Sequence, residues 1–273
     1  MVTLVFLSVL VMQVAMPGEM SCVGFIIDAP VPMNLYVSGT EEDEINNYSH
    51  TGTLLYVNGP GVPALKIGEL YSVVRPEGKL KDPVTGDAVG VYHKELGTVR
   101  IEAARNDGAT ASVVYSCGVM LKGDLLVPAS AKPPVKFDGK PSDHLTPYNP
   151  QGLQSTIVIG KDGIQEMGAG DFCFLALGSR DGIKPGDRFT IYRPQPPFDA
   201  RHLEVDGSMA GLSYERARGI SYRRVLTDAL SRRSVPPRVL GDLVVVDVSE
   251  TAAAAKIVNS LAEVHVGDVV VRR

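Results

Sequence analysis

The chain has 273 residues, which is long enough for two modest domains that each bury a core of their own. Its 28 glycines and 19 prolines predict many turns between short strands, and this disfavours a helical bundle. The formal net charge of −4 is too small to indicate a nucleic acid or a membrane as a partner, so any electrostatic argument must be local.

The first 21 residues are typical of an export signal. Residues 2–15 are apolar apart from three polar side chains, and this length fits a secretory signal better than a membrane span of about 20 residues. No Lys or Arg precedes the run and no small-x-small cleavage site follows it, so a buried amino-terminal helix or strand is the alternative. A second interpretation of Cys22 is a lipid attachment site, although Glu19 occupies a position where a lipoprotein signal has an aliphatic residue. We expect an exported protein that is not transmembrane.

Residues 22–128 carry the pattern of a small all-β domain. The run 66–76 starts at a Gly-acidic turn, alternates apolar and polar residues, and ends at Arg75-Pro76, as a half-buried strand does. The other predicted elements are a hairpin tip at 82–87, strands at 96–103 and 110–115, and a last strand opened by Gly123-Asp124. Five or six short strands in about 75 residues predict a small barrel or a compact sandwich.

The same pattern returns in the second half of the chain, which predicts an internal duplication. The repeated features are the runs 66–76 and 184–194, and two glycine pairs that are each 26 residues apart, Gly97 with Gly123 and Gly241 with Gly267. Six prolines between positions 128 and 150 predict a stiff linker. We therefore predict two tandem small β-barrels of SH3-like type, at 22–128 and 152–273, joined by a linker at 129–151.

The repeated turns have a structural interpretation. They contain Gly68, Gly123 with Asp124, Gly186 with Asp187, and Gly267 with Asp268. Glycine supplies backbone dihedrals that other residues avoid, and aspartate bonds the turn amides. Arg75 and Arg193 end the repeated strands, and we expect each to pair with a turn carboxylate rather than with a ligand.

Three cysteines fit an exported protein with one disulfide and one free thiol. Cys117 stands where the second copy has Leu261, and Cys22 lies in a segment without a counterpart, so both look like additions to the first half. We predict a disulfide between Cys22 and Cys117. Cys173 lies in an apolar strand and is interpreted as a core residue.

The second copy contains an insertion at 195–238. Arg75 and Gly97 are 22 positions apart, whereas Arg193 and Gly241 are 48 apart. Apolar residues at helical spacing after Ser221 predict a short amphipathic helix. Arginines flank or share it: Arg216, Arg218, Arg223, Arg224, Arg232, Arg233 and Arg238. The first six are candidate partner-binding residues for an acidic protein or anionic polymer. The alternatives are a helix packed on its own barrel with solvated arginines, and a disordered segment.

The chain lacks the motifs that carry catalysis or hold a cofactor. It has no phosphate-binding loop, no Gly-x-Ser-x-Gly elbow, no His-Glu-x-x-His and no pair of Cys-x-x-Cys motifs. We therefore expect no catalytic residue, no metal and no cofactor. Nucleic-acid binding is disfavoured because Trp is absent and few aromatic residues accompany the basic ones.

The first copy resembles a known domain family. The residues that carry the resemblance are Gly68-Glu69-x-Tyr71-x-Val73-x-Arg75, Asp82-Pro83-x-Thr85-Gly86-x-x-x-Gly90, Leu96-Gly97, the run 111–114 and Gly123-Asp124. This order resembles the carboxy-terminal β-domain of flagellar assembly protein T, and it is similar to a β-domain that follows LysM modules in envelope proteins. The resemblance implies a non-catalytic binding or assembly module of the bacterial periplasm. The second copy lacks the Asp-Pro-x-Thr-Gly turn, and no LysM module is present, so peptidoglycan binding is not carried over.

Two functions from different classes follow. The favoured one is a non-catalytic periplasmic or outer-envelope scaffold that binds a protein or an anionic envelope component. The alternative is a cell-wall or polysaccharide hydrolase with a carboxylate cleft between the domains. Two carboxylates about 5–9 Å apart in an open groove would favour the hydrolase.

Overall fold

The structure is a computed structural model, and it describes residues 12–13, 17–41, 50–130, 132, 134–137, 139–195 and 236–273. These residues form an all-β protein, as predicted. The elements of the first half are β1 Met12–Gln13, α1 Pro17–Met20, β2 Phe25–Ile27, β3 Tyr36–Thr40, β4 Leu54–Asn58, a 3-10 turn Val62–Ala64, β5 Leu70–Lys81, β6 Ala88–Arg105, β7 Gly108–Ser116 and β8 Leu125–Pro128. Those of the second half are β9 Lys136–Phe137, β10 Gln154–Gly160, β11 Glu166–Met167, β12 Phe172–Leu175, β13 Arg188–Arg193, β14 Arg238–Val248, β15 Ala253–Ser260, β16 Val264–His265 and β17 Val269–Arg272, with 3-10 turns Lys161–Gly163 and Ser179–Asp181.

The first half forms a seven-stranded sheet in the order β2-β6-β5-β8-β3-β4-β7. A further pairing between β6 and β7 joins six of these strands into a ring, which we call the first ring, and leaves β2 paired to the outer part of β6. Alternating side chains of the strands fill its interior, including Val37, Leu55, Val73, Val99 and Ile101. The ring thus has its own core.

The second half forms a closed six-stranded barrel, which we call the second ring. Its strands pair in the order β10-β12-β15-β14-β13-β17. When the six strands of each ring are numbered in chain order, the two rings have the same cyclic order of neighbouring strands. Its separate core includes Ile157, Phe189, Ile191, Leu243 and Ile257.

Strands β5 and β6 continue beyond the first ring as a long hairpin, which we call the arm. Residues 76–81 of β5 pair with β6, and the Asp82–Asp87 turn forms the tip. The arm and the amino-terminal segment lie against the outside of the second ring. Buried apolar residues from both halves meet in this contact, which we call the seam: Met20, Val23, Ile26, Val89, Tyr92 and Val135 pack with Val158, Phe172, Phe174, Val244, Val246, Ala252 and Ala254.

The segment predicted as a linker is packed against the protein rather than acting as a free spacer. Val135 is buried in the seam, and Ser142 is buried against the second ring. Met20, which the sequence placed in the signal-like segment, is also buried in the seam. In each case the side chain is buried against the second ring, and the local sequence does not indicate this contact.

Candidate functional site

The repeated glycines occupy the left-handed region that favours glycine. Their φ angles are +89° at Gly68, +95° at Gly123, +96° at Gly186 and +91° at Gly267. The aspartates that follow accept hydrogen bonds from backbone N–H groups three residues earlier: Leu121 to Asp124 at 2.6 Å, Lys184 to Asp187 at 2.9 Å and His265 to Asp268 at 2.7 Å. These groups therefore serve their own turns.

Each ring contains one arginine–aspartate clasp at equivalent strands. Arg75 donates to both carboxylate oxygens of Asp124 at 2.7 and 2.8 Å, and Arg193 donates to both oxygens of Asp268 at 2.8 Å. The hydrogen bond to its aspartate raises the pKa of each guanidinium above its ordinary value. The bidentate geometry ties the repeated strand to the turn before the last strand, as expected from the sequence.

The predicted Cys22–Cys117 disulfide is confirmed, with 5.6 Å between the Cα atoms. It attaches the segment before β2 to the loop after β7. Cys173 is a fully buried free thiol, and burial raises its pKa to about 12. Such a thiol stays protonated and unreactive at neutral pH.

The six candidate partner-binding arginines lie within 196–235, outside the described residues, as does the predicted helix. The described ends of the insertion meet. Arg193 pairs with Arg238 in the β13–β14 ladder, and the Gln195 side chain donates to the carbonyl of Pro236 at 3.3 Å. Both ends of the insertion therefore lie at the β13–β14 hairpin, which is equivalent to the arm of the first half.

The tip of the arm is bonded to the second ring through Asp82. One carboxylate oxygen accepts the Thr156 hydroxyl at 2.5 Å, and the other accepts the N–H groups of Val84 and Thr85 at 2.8 and 3.0 Å. Burial alone would raise the pKa of Asp82, but these hydrogen bonds outweigh it and hold that pKa below its ordinary value. The Asp-Pro-x-Thr-Gly turn is thus a docking element as well as a hairpin tip.

Charged side chains meet in a cavity of about 270 Å³ at the seam. The Lys132 ammonium lies 2.8 Å from Glu95 of β6 and 3.3 Å from Asp247 of the second ring. Glu95 also accepts the N–H of Gly24 at 3.0 Å. Both carboxylates contact the same ammonium nitrogen, which lies between them. The three groups therefore act as an ionic bridge between β6, the linker and the second ring.

Sequence reasoning missed Asp242, which has 1% of its surface exposed. Its carboxylate accepts the N–H of Ser142 at 2.6 Å and the Ser142 hydroxyl at 2.7 Å, and the Arg273 guanidinium lies 3.7 Å away. The remaining donors are Thr190 and Asn259, each at 3.3 Å. The group fastens the linker to the second ring. An acidic residue inside an apolar strand, Leu240 to Val246, was the available signal, because a buried carboxylate needs such partners.

None of the helices in the described ranges is long and apolar enough to cross a membrane. A comparison with models of known protein families finds no match, and no curated protein is significantly similar to the chain.

Proposed function

We propose that the protein is a non-catalytic scaffold of the bacterial cell envelope, built from two tandem SH3-like β-barrels that arose by internal duplication. The observation that carries the proposal is the arm. A hairpin of one ring binds the outer face of its neighbour, and the hairpin at the equivalent place in the second ring carries the arginine-rich insertion. In this interpretation the same hairpin serves to bind a neighbour in both halves.

Three features support the duplication. The two rings have the same cyclic order of strands, each has an arginine–aspartate clasp, and each has glycines in the left-handed region before the repeated strand and the last strand. A shared ancestor explains these similarities together, since a ring can close without any of them.

The buried charges that join separate segments of the chain support a scaffold. Glu95, Asp82 and Asp242 are each occupied by donors from another segment of the chain. Carboxylates used in this way fix the segments relative to one another, because releasing one would leave a buried charge without a partner. The disulfide fits an oxidising compartment, which supports export to the periplasm or outer envelope. The resemblance to the β-domain of flagellar assembly protein T agrees with an assembly role.

The proposed partner is an acidic protein or an anionic envelope component that binds the insertion. Arginine offers a planar set of donors that matches carboxylates and phosphates. Cross-linking in the native host, followed by identification of the captured molecule, tests this proposal. Capture should be lost when Arg223, Arg224, Arg232 and Arg233 are replaced by Ala, and it should weaken as salt shortens the Debye length to about 3 Å at 1 M.

A matched control removes the same number of positive charges elsewhere. Lys66, Lys79, Lys81 and Lys184 are exposed and lie outside the insertion. Their replacement by Ala should leave capture unchanged. Equal loss in both variants would show that net charge, rather than the insertion, attracts the partner.

A polysaccharide hydrolase is the second candidate, because two carboxylates, Glu95 and Asp247, line the seam cavity. We favour the scaffold because Lys132 lies between them. Release of reducing sugars from cell-wall polysaccharide, lost in Asp247→Asn, would reverse this preference.

A further inference from the structure

The residues before and within β2 contact both rings. We call residues 19–28 the adapter segment. Its only regular pairing is β2, in which three residues pair with β6 of the arm. A three-residue strand contributes little stability by itself, so the position of this segment depends on its other contacts.

On the first-ring side, the adapter segment is attached covalently through Cys22 and by close backbone packing at Gly24. Gly24 has a φ of +82°, and a Cβ at this position would lie 2.7 Å from the carbonyl oxygen of His93. The neighbouring Phe25 ring stacks on the His93 imidazole, with 5.0 Å between ring centres. The disulfide to Cys117 is the covalent part of this attachment.

On the second-ring side, the adapter segment contributes apolar surface and ion pairs. Its buried residues in the seam are Met20, Val23 and Ile26. Glu19 lies 3.0 Å from the ammonium of Lys256, and Asp28 accepts the Thr251 hydroxyl at 2.9 Å. The same ten residues are therefore held by the first ring and cover the outer face of the second.

We propose that the Cys22–Cys117 disulfide is a redox-sensitive latch that keeps the adapter segment on the second ring. Cross-linking restricts the segment to positions close to the loop after β7, which lowers the entropy it loses on packing into the seam. Without the bond, the segment depends on three strand pairs, on the burial of Met20, Val23 and Ile26, and on the ion pair of Glu19 with Lys256. Reduction then frees it and uncovers the apolar face around Phe172.

The chemistry needs a dithiol reductant. Two electrons and two protons pass to the disulfide, its sulfur–sulfur bond breaks, Cys22 and Cys117 become thiols, and the reductant leaves as a disulfide. Both cysteines are half-buried, so a reductant can reach the bond, whereas Cys173 is fully enclosed. Partly exposed disulfides are the ones that exchange under mild conditions.

Hydrogen–deuterium exchange of the full chain, with and without dithiothreitol, tests the latch. We expect exchange of residues 23–27 to rise by about tenfold or more on reduction, and to fall again on reoxidation. Exchange of 54–58 in the first ring should stay unchanged. Equal exchange in both redox states would overturn the proposal, because the cross-link would then have no effect on the adapter segment. A rise across both rings would also overturn it, because the cross-link would then stabilise the whole fold.

Two variants sharpen the test. Cys22→Ser with Cys117→Ser should exchange rapidly at the seam in both conditions, whereas Cys173→Ala should behave like the wild type in both. If the double serine variant does not fold, the reversible change in the wild type still decides the question. A seam response in the double serine variant on adding dithiothreitol would assign the effect to another group and contradict the latch.

Discussion

The outer face of the second ring is apolar and covered, whereas the equivalent face of the first ring is polar and open. Phe174 and Tyr56 occupy equivalent positions, and they are 1% and 44% exposed. On the strand two places further round each ring, buried Val244 and Val246 correspond to exposed Arg100 and Glu102. The two rings share a strand order but differ in what lies outside. The outer side chains, rather than the ring topology, therefore indicate which face has an intramolecular partner.

The largest expected effect comes from removing the seam aromatic. Phe174→Ala should lower the free energy of unfolding by about 3–5 kcal/mol, because a buried ring is replaced by a cavity. The matched change Tyr56→Ala on the open face should lower the free energy of unfolding by only about 1 kcal/mol or less. Urea denaturation monitored by far-UV circular dichroism measures both. Similar losses would break the comparison between the covered and the open face.

The next effect concerns Asp242 in the second ring and Thr98 at the equivalent position of the first. Asp242→Ala should cost about 2–3 kcal/mol, because Ser142 and its neighbours lose a charged acceptor. Thr98→Ala should lower the free energy of unfolding by much less than Asp242→Ala does. Limited proteolysis should then cut the linker near Ser142 in the first variant only. An uncut linker in Asp242→Ala would show that other contacts hold it.

A smaller effect is expected at the tip of the arm. Asp82→Asn should lower stability by about 1 kcal/mol near pH 7, because the amide accepts weaker hydrogen bonds from Thr156 and the turn. The pKa of Asp82 is depressed in the folded protein, so its contribution is present above the unfolded value of about 3.9 and is lost as pH falls through the folded value. Thermal unfolding midpoints of the two proteins should therefore converge in strong acid. Asp87→Asn, at the exposed side of the same tip, should change little at any pH.

The smallest effect is a pH dependence at His93, which is fully buried under β2. One ring nitrogen lies 3.0 Å from the carbonyl of Val91, and Nε2 accepts the N–H of Val31 at 3.1 Å. Burial lowers the pKa of His93 in the folded protein. Below the unfolded pKa of about 6.5, the unfolded chain therefore binds more protons than the folded chain, and stability decreases as the pH is lowered. His93→Gln should flatten the stability profile between about pH 6.5 and 5. An unchanged slope would show that His93 does not titrate on unfolding.

Some of the site was visible in the sequence because it depends on short-range patterns. The turn at 82–87 was predicted from Asp-Pro and Thr-Gly, and Arg75 was expected to meet a turn carboxylate. The docking role of the same turn was not predicted, because it depends on Thr156, which is 74 positions away in the chain. The role of Asp242 is not visible in the sequence, because its donor Ser142 lies 100 positions away in a segment without apolar periodicity.

The sequence alone was enough to predict the all-β class, the alternating strands and the glycine turns, because these follow from local periodicity and backbone stereochemistry. It also predicted the disulfide pair, because Cys22 and Cys117 both look like additions to the first half. The tertiary structure alone decided that the arm and the adapter segment cover the second ring. That contact joins residues as far apart as Glu19 and Lys256, separated by 237 positions. Apolar burial and hydrogen bonding do not depend on distance along the chain, so the local sequence does not show which segment covers the outer face of the second ring.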